Sequence, residues 1–242
     1  AEAAGREPPL TVRGGSATLA RSACARPSAG GAWQLGAWIR DSMAGIGTLT
    51  YYGPATGQYG ALGHGITDTD TALLRPFSNG AIRPATGKAV KRGETGSAGE
   101  LRGDFDLDTS LGDLYANTES GIFGTLAVSD YAPACQDAVP IGEAVPGPAV
   151  IRTNVEGDAA EEYEIEILKV VSGTSDGRDL VISVTDPKLL KATGGIVQGM
   201  SGSPILQNGK LVGAVTHVFV DDPTRGYGIF CENMVRYGLS GS

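Results

Sequence analysis

A glycine-rich run in the last quarter of the chain holds a serine in a setting that suits nucleophilic catalysis. The run reads Gly199-Met200-Ser201-Gly202-Ser203-Pro204. Glycine accepts backbone angles that other residues avoid, so the run predicts a tight turn that presents the Ser201 hydroxyl. The N–H groups of Gly199 and Ser201 would then form an oxyanion hole for the negative oxygen that appears when a hydroxyl attacks a carbonyl. Since the chain has 37 glycines, the run by itself is only suggestive.

The chain offers two histidines, His64 and His217, as the general base that a serine nucleophile requires. His64 follows the short run Tyr59–Leu62 in a turn flanked by glycines. A ring at a strand end, on the opposite half of the chain from Ser201, suits a cleft between two barrels. We therefore assign the base to His64. His217 lies within a predicted strand, and we expect it to line the cleft or to pack.

A carboxylate that orients the imidazole would complete the site. Spacing alone does not choose among the candidates, which are Asp68, Asp70, Asp104, Asp106, Asp108 and Asp186. An aspartate in a turn usually serves as a helix cap or a turn former. From the residues alone, the third position stays open.

The elements that must position these residues predict an all-β protein with few short helices. Short apolar runs bounded by Gly, Pro, Asn and Asp recur along the chain, and helical patterns are confined to residues 188–191 and 232–237. After the serine turn, two apolar runs flank Asn208-Gly209, which is a strong hairpin signal. The second run predicts a strand that ends in Thr216-His217-Val218.

This order of nucleophile turn, hairpin and closing strands resembles that of chymotrypsin-like serine peptidases, and it implies a double β-barrel. A chain of 242 residues can form one such domain with a sizeable core. The resemblance implies that Thr216, His217 and Val218 form a wall of the cleft and pair with the substrate backbone. The residue six positions before the nucleophile, at the base of the substrate pocket in such enzymes, is Gly195. An uncharged side chain is therefore expected at the cleavage site.

Several segments resemble the SpoIVB family, the stage IV sporulation serine peptidases of endospore-forming bacteria. They are Asp41–Tyr51, Gly60–His64, Thr185–Leu190 and Thr193–Val220, within a match that spans residues 33–242. The resemblance implies Ser201 as the nucleophile, His64 as the base and Asp186 as the orienting acid. It also implies an endopeptidase that cleaves a membrane-associated regulator of sporulation, and itself, in the space between the two spore membranes.

Members of this family carry a membrane anchor and a PDZ domain before the peptidase. The segment Pro9–Leu19 resembles the final hairpin of a PDZ domain. We therefore interpret residues 1–32 as a linker or a remnant of a PDZ domain, and residues 33–242 as the peptidase domain. No apolar stretch approaches the ~20 residues that span a bilayer, and no signal-peptide core is visible near the start. We expect this chain to be soluble as given.

Charge and cysteine usage narrow the partners and cofactors. The net charge of −8 argues against nucleic acid as the main partner. Cys24, Cys135 and Cys231 show no Cys-x-x-Cys spacing, so free buried thiols are expected rather than a disulfide scaffold or a zinc site. The alternating Asp104, Asp106 and Asp108 lack the glycine and distal glutamate of a calcium-binding loop. We expect no metal and no other cofactor.

The competing interpretation is a non-catalytic module that binds a peptide or a partner on a peptidase scaffold. The presence of both His64 and Ser201 argues against it.

Overall fold

The structure, a computed structural model, describes residues 9–14, 17–22, 26–27, 33–34, 44–68, 72–75, 79–126, 138–155, 159–171, 173–174 and 177–240. The chain divides into two compact units, Ala1–Ala44 and Gly45–Ser242. In the first unit β1 (Pro9–Gly14) pairs with β2 (Ala17–Ser22), and β3 (Arg26–Pro27) pairs with β4 (Trp33–Gln34), both antiparallel. A hairpin is thus present where the PDZ resemblance was noted. That it belongs to a PDZ domain stays a prediction.

The second unit begins with an antiparallel five-stranded sheet. Its strands are β5 (Leu49–Tyr52), β6 (Gln58–Ala61), β7 (Ala81–Ile82), β10 (Gly112–Thr118) and β11 (Gly121–Leu126), in the order β5-β6-β11-β10-β7. A separate two-stranded ribbon, β8 (Ala85–Lys91) with β9 (Glu100–Phe105), lies between β7 and β10 in the chain. The described strands of this half form a half-barrel whose edge strand β7 has two residues.

The rest of the second unit is a closed six-stranded barrel. Its strands are β12 (Gly147–Thr153), β13 (Glu161–Val170), β14 (Leu180–Val184), β15 (Pro204–Gln207), β16 (Lys210–Phe219) and β17 (Asp222–Phe230), in the order β12-β13-β14-β17-β16-β15. On β13, Tyr163, Ile165 and Ile167 are buried while the glutamates between them are exposed. This alternation of period two places one face of the strand in the barrel core. The mostly-β class predicted from the sequence is confirmed.

Two short helices complete the fold. Helix α1 (Pro187–Thr193) begins with Asp186 as its N-cap and ends at Gly194, whose φ is 77°. Helix α2 (Cys231–Ser240) follows β17 directly. Both lie where the sequence predicted helices, each a few residues longer. In the described part of the chain, no helix is both long and apolar enough to cross a bilayer.

A small apolar cluster joins the sheet to the barrel. Phe123 of β11 packs with Ala214 of β16, Ile229 of β17 and Met234 of α2, and all four side chains are buried. Cys231, at the start of α2, is a buried free thiol, as expected. Cys24, Cys135 and Asp70 lie outside the described residues. The cluster therefore packs β11 of the sheet against β16, β17 and α2.

Candidate active site

The predicted nucleophile turn is present between α1 and β15. The N–H of Met200 donates to Val197 O at 3.1 Å, and the N–H of Ser203 donates to Met200 O at 2.9 Å. The Met200 side chain is fully buried in the barrel core. The turn is therefore anchored from beneath, and Ser201 at its tip is only partly buried.

The turn is also fixed from the side by the segment that enters β5. The N–H of Thr48 donates to Ser201 O at 2.8 Å, and the Thr50 hydroxyl donates to Gly202 O at 2.7 Å. Gly202 has φ of +91°, and a Cβ there would collide with Thr48 O and lie 2.5 Å from the nitrogen of Leu62. Only glycine allows this approach. The nucleophile turn is thus held directly against the five-stranded sheet.

His64 lies in the turn that follows β6. The residue two positions earlier, Leu62, has φ of 67°, a left-handed conformation that is costly for a leucine. A Cβ on Gly63 would lie 2.9 Å from Thr216 Cγ2, so this turn packs on the wall strand β16. The rings of His64 and His217 are in contact, with centroids 4.9 Å apart and planes tilted by 35°. The structure therefore brings the two histidines of the chain together beside the nucleophile turn.

The hydrogen bond of the His64 ring defines its tautomer. Its Nδ1 lies 3.0 Å from the carbonyl oxygen of Gly65. Because a carbonyl oxygen only accepts, the neutral ring must carry its proton on Nδ1, and Nε2 keeps the lone pair of a base. Burial lowers the pKa of His64 below its ordinary value, and the Gly65 hydrogen bond opposes this shift in part. The neutral form needed to accept a proton is therefore favoured.

The Ser201 hydroxyl donates to the carbonyl oxygen of Thr216 at 2.9 Å. In this resting state the nucleophile is therefore bonded to the wall strand and not to His64. The turns that carry the two residues nevertheless lie close together, because a Cβ on Gly202 would lie 2.5 Å from the nitrogen of Leu62 and one on Gly63 would lie 2.9 Å from Thr216 Cγ2. Catalytic hydrogen bonds are often unformed until a substrate is bound.

Four main-chain N–H groups within residues 198–203 donate a hydrogen bond to a carbonyl oxygen. The N–H of Gln198 donates to Gly99 O at 2.9 Å, and that of Gly202 donates to Val215 O at 2.8 Å, while Met200 and Ser203 bond as described above. Within the described part of the chain, the N–H groups of Gly199 and Ser201 have no acceptor. These are the two donors that the sequence assigned to the oxyanion hole. Their assignment stays a prediction, and their hydrogen-bonding pattern agrees with it.

The carboxylate of Asp186 bonds to main-chain N–H groups. Its carboxylate accepts from the N–H groups of Lys188 at 2.8 Å, Leu189 at 2.9 Å and Glu164 at 3.3 Å. It therefore caps helix α1, and it does not contact His64. As the orienting acid, Asp186 stays a prediction that this geometry does not support.

The other described carboxylates do not contact His64 either. Asp68 pairs with Arg75 at 2.9 Å. Asp106 accepts from the N–H groups of Asp108 at 3.0 Å and Thr109 at 3.2 Å, and so forms a turn. Among the residues that the structure describes, no cluster of three or more His, Cys, Asp or Glu side chains forms that would hold a metal ion.

The predicted substrate wall has one side without a strand partner. Strand β16 pairs with β15 only as far as Ala214, whereas it pairs with β17 as far as Phe219. Among the described strands, residues 216–219 thus have a neighbour on one side only. The register shifts between Val215 and Val218, and such a bulge re-aims the side chains of Thr216 and His217.

Gly195 lies in a covered position. It is buried, and a Cβ there would collide with the main chain at Pro223. Val218, which pairs with Gly226, packs against the barrel core. The roles of Gly195 and Val218 in substrate binding stay predictions.

Asn117, which supports the histidine turn from β10, was not predicted from the sequence. Its Oδ1 accepts from the N–H of Ile66 at 2.8 Å, and its Nδ2 donates to Ile66 O and Arg75 O, both at 2.9 Å. Thr48 and Thr50, which hold the nucleophile turn, were also not predicted. Polar residues within and beside strands are common, so nothing local distinguishes these three.

The barrel, the sheet packed against it and a serine and a histidine between them define a chymotrypsin-like serine peptidase. The family model described as SpoIVB peptidase S55 matches residues 31–235. The chain therefore belongs to the SpoIVB peptidase family, and the resemblance noted in the sequence is confirmed.

Two solved structures are similar to this chain. The Rv3671c protease from M. tuberculosis in its active form aligns with a TM-score of 0.40 and 14% identity over 70% of this chain and 94% of that chain. The inactive form of Rv3671c protease aligns with a TM-score of 0.38 and 16% identity over 59% of this chain and 71% of that chain. A search of curated proteins finds no significant match.

Proposed function

We propose that this serine peptidase cleaves a membrane-associated regulatory protein of sporulation, and itself, through an acyl-enzyme on Ser201. The observation that carries the catalytic assignment is the meeting of two turns from distant parts of the chain. One turn presents Ser201 with two N–H groups that lack acceptors in the described structure, and the other presents His64 with its proton on Nδ1. The sporulation substrate and a location between the two spore membranes rest on the family alone.

The proposed first step is acylation. Nε2 of His64 accepts the Ser201 proton as Oγ bonds to the carbonyl carbon of the substrate. The N–H groups of Gly199 and Ser201 hold the resulting oxyanion, and each such donor lowers the barrier by about 3 kcal/mol. The imidazolium then protonates the leaving amine as the C–N bond breaks. In the second step His64 takes a proton from water as the water oxygen attacks the ester, and it returns that proton to Ser201 Oγ as the ester bond breaks.

Substrate alignment follows from the wall strand. Among the described strands, residues 216–218 have a neighbour on one side only, so an extended peptide can add to the other side by β-augmentation. The resemblance places residue 195 at the base of the substrate pocket, and this residue is a glycine that carries no charge. An uncharged residue is therefore expected before the cleaved bond.

Labelling with a fluorophosphonate probe tests the nucleophile. We expect Ser201 to be labelled in the wild type, and Ser201→Ala and His64→Gln to lose the label. Ser203→Ala is the matched control, because Ser203 lies in the same turn and its buried Oγ has no hydrogen-bond partner in the described structure. Loss of the label in Ser203→Ala but not in Ser201→Ala would contradict the assignment. Peptide binding without labelling would favour the non-catalytic module.

Self-cleavage is tested separately by mass spectrometry of stored protein. The wild type is expected to shorten over time, whereas Ser201→Ala should keep its full mass. A fragmentation pattern shared by both proteins would show that another peptidase cleaves the chain.

A further inference from the structure

A single peptide unit connects the general base to a side chain on the neighbouring sheet. His64 Nδ1 lies 3.0 Å from the carbonyl oxygen of Gly65. The N–H of the same peptide unit, which belongs to Ile66, donates to Asn117 Oδ1 at 2.8 Å. In a trans peptide the C=O and the N–H point in opposite directions. The unit between Gly65 and Ile66 therefore receives a hydrogen bond from His64 at one end and donates one to Asn117 at the other.

We propose that Asn117 is the positioning residue of the general base, and that it acts through this peptide unit where other serine peptidases use a carboxylate. The proposal rests on the proposed role of His64 as the base. It assigns to Asn117 the task that the family resemblance implied for Asp186.

The contacts of Asn117 allow only one orientation of its side-chain amide. Nδ2 donates to two carbonyl oxygens, those of Ile66 and Arg75, both at 2.9 Å. Because both of these groups only accept, the NH₂ must face them, and Oδ1 must face the N–H of Ile66. Both main-chain groups of Ile66 are thus held by one side chain, which fixes the plane of the peptide unit beside it.

Close packing supports the same arrangement. A Cβ on Gly65 would lie 2.6 Å from Thr118 O and 3.3 Å from Asn117 Oδ1. The histidine turn therefore lies directly on β10, and a side chain at position 65 would separate the two. The peptide unit cannot rotate without breaking the hydrogen bonds of both Ile66 and His64.

The chemical consequence concerns the charge that His64 gains during catalysis. A peptide whose N–H is hydrogen-bonded becomes a better acceptor at its oxygen, because linked hydrogen bonds polarise one another. The Gly65 carbonyl can therefore stabilise the imidazolium while it keeps the ring in the Nδ1–H form. A neutral carbonyl stabilises a cation less than a carboxylate does, which agrees with a pKa of His64 that burial holds below its ordinary value.

Histidine tautomers can be measured directly in this chain, since it has 2 histidines. The ¹⁵N NMR spectrum of protein labelled in its histidine rings reports which ring nitrogen carries the proton. The Ser201→Ala variant is used for this measurement because it cannot cleave itself and needs no substrate. We expect the neutral His64 ring to carry its proton on Nδ1 in this background and with Asp186→Asn added. With Asn117→Ala added, we expect a mixture of the two tautomers.

Kinetics in the Ser201 enzyme give a second readout. Asn117→Ala should lower kcat about tenfold or more with little change in KM. The loss should not exceed the contribution of a general base, which is about 10²–10⁴-fold. It should also move the acidic limb of the kcat/KM profile to lower pH. Asn117→Asp keeps the acceptor and adds a negative charge, so the same limb should move to higher pH. A purely structural defect would not shift the two variants in opposite directions.

Gln207→Ala is the matched control for loss of an amide that makes three main-chain hydrogen bonds. The Gln207 amide accepts from the N–H of Val145 at 3.0 Å and donates to Val145 O at 2.9 Å and Pro148 O at 3.1 Å. It should lower stability but leave the His64 tautomer unchanged. The proposal is overturned if the parent protein carries the His64 proton on Nε2. It is also overturned if the His64 tautomer is unchanged in folded Asn117→Ala, or if Asp186→Asn changes that tautomer. Failure of the proposed peptidase function would appear instead as absent labelling of Ser201.

Discussion

The Ser201 hydroxyl and the Thr216 carbonyl oxygen are joined by a hydrogen bond of 2.9 Å. Thr216 lies on the segment of β16 to which we expect the substrate backbone to bind. A substrate N–H that takes this carbonyl as its acceptor would release the hydroxyl toward His64. Binding of a peptide and activation of the nucleophile would then be one event.

Substrate-dependent release of Ser201 is the first prediction. A peptidyl phosphonate should label Ser201 at least about tenfold faster than its analogue with one methylated N–H, when the methylated group is the one that would bind Thr216. The measurement is the second-order rate constant of inactivation. Methylation of an adjacent N–H that faces away from β16 serves as the control. Equal rates for all three compounds would show that Thr216 O does not receive the substrate.

The pH dependence of activity is the second prediction. Burial lowers the pKa of His64 from 6.5, so the acidic limb of kcat/KM should lie below 6.5. Stability should follow the same group. Between the folded and the unfolded pKa the unfolded state binds more protons, so the free energy of unfolding falls as the pH drops through 6.5.

Urea unfolding of the wild type and His64→Gln at about pH 7.5 and about pH 5.5 checks the stability effect. Part of the loss at the lower pH should disappear in His64→Gln, which cannot titrate at this position. Carboxylates contribute equally to both proteins and cancel in the difference. A wild type that gains stability on acidification, relative to His64→Gln, would show that the pKa is raised instead.

The ring of His217 gives the third prediction. Its contact with His64, at 4.9 Å between centroids, is part of the burial that lowers the pKa of His64. His217→Ala should admit water and raise that pKa toward its ordinary value, whereas His217→Phe keeps an apolar ring in place and should leave it low. The acidic limb of kcat/KM distinguishes the two variants. The same limb in both would mean that His217 does not shield the base.

The approach of the nucleophile turn to the sheet gives the fourth prediction. Gly202→Ala should abolish labelling of Ser201 and destabilise the protein by more than about 1 kcal/mol, because the new Cβ meets Thr48 O and must adopt φ of +91°. Gly209→Ala is the matched control, since Gly209 has φ of +71° with nothing within 4 Å of its Cβ. It should be destabilised but fully active. If Gly202→Ala and Gly209→Ala lose activity to the same extent, the positive φ alone accounts for the loss and the contact with Thr48 O does not.

The sequence predicted those parts of the site that local chemistry determines. The glycines around Ser201 predict a turn, and Asn208-Gly209 predicts the hairpin that is observed with φ of 52° and 71°. His64 was identified because the chain has 2 histidines. Asp186 directly precedes Pro187, a pattern typical of a helix start, and the structure shows that cap.

The contacts that connect the two halves were not predictable in this way. Asn117 follows His64 by 53 positions, and its partner Ile66 lies 51 positions away in sequence. One sequence carries no information on which polar strand residue faces which turn.

The hydrogen bonds of Thr48 and Thr50 to the nucleophile turn also set when this enzyme can become active. Their partners, Gly199 and Gly202, are 151 and 152 positions further along the chain. A ribosome that has made the sheet has therefore not yet made the nucleophile, and contacts of such separation form late in folding. A chain that is still emerging from the ribosome would carry His64 without its nucleophile. Proteolytic capacity would appear only when the final barrel strands close.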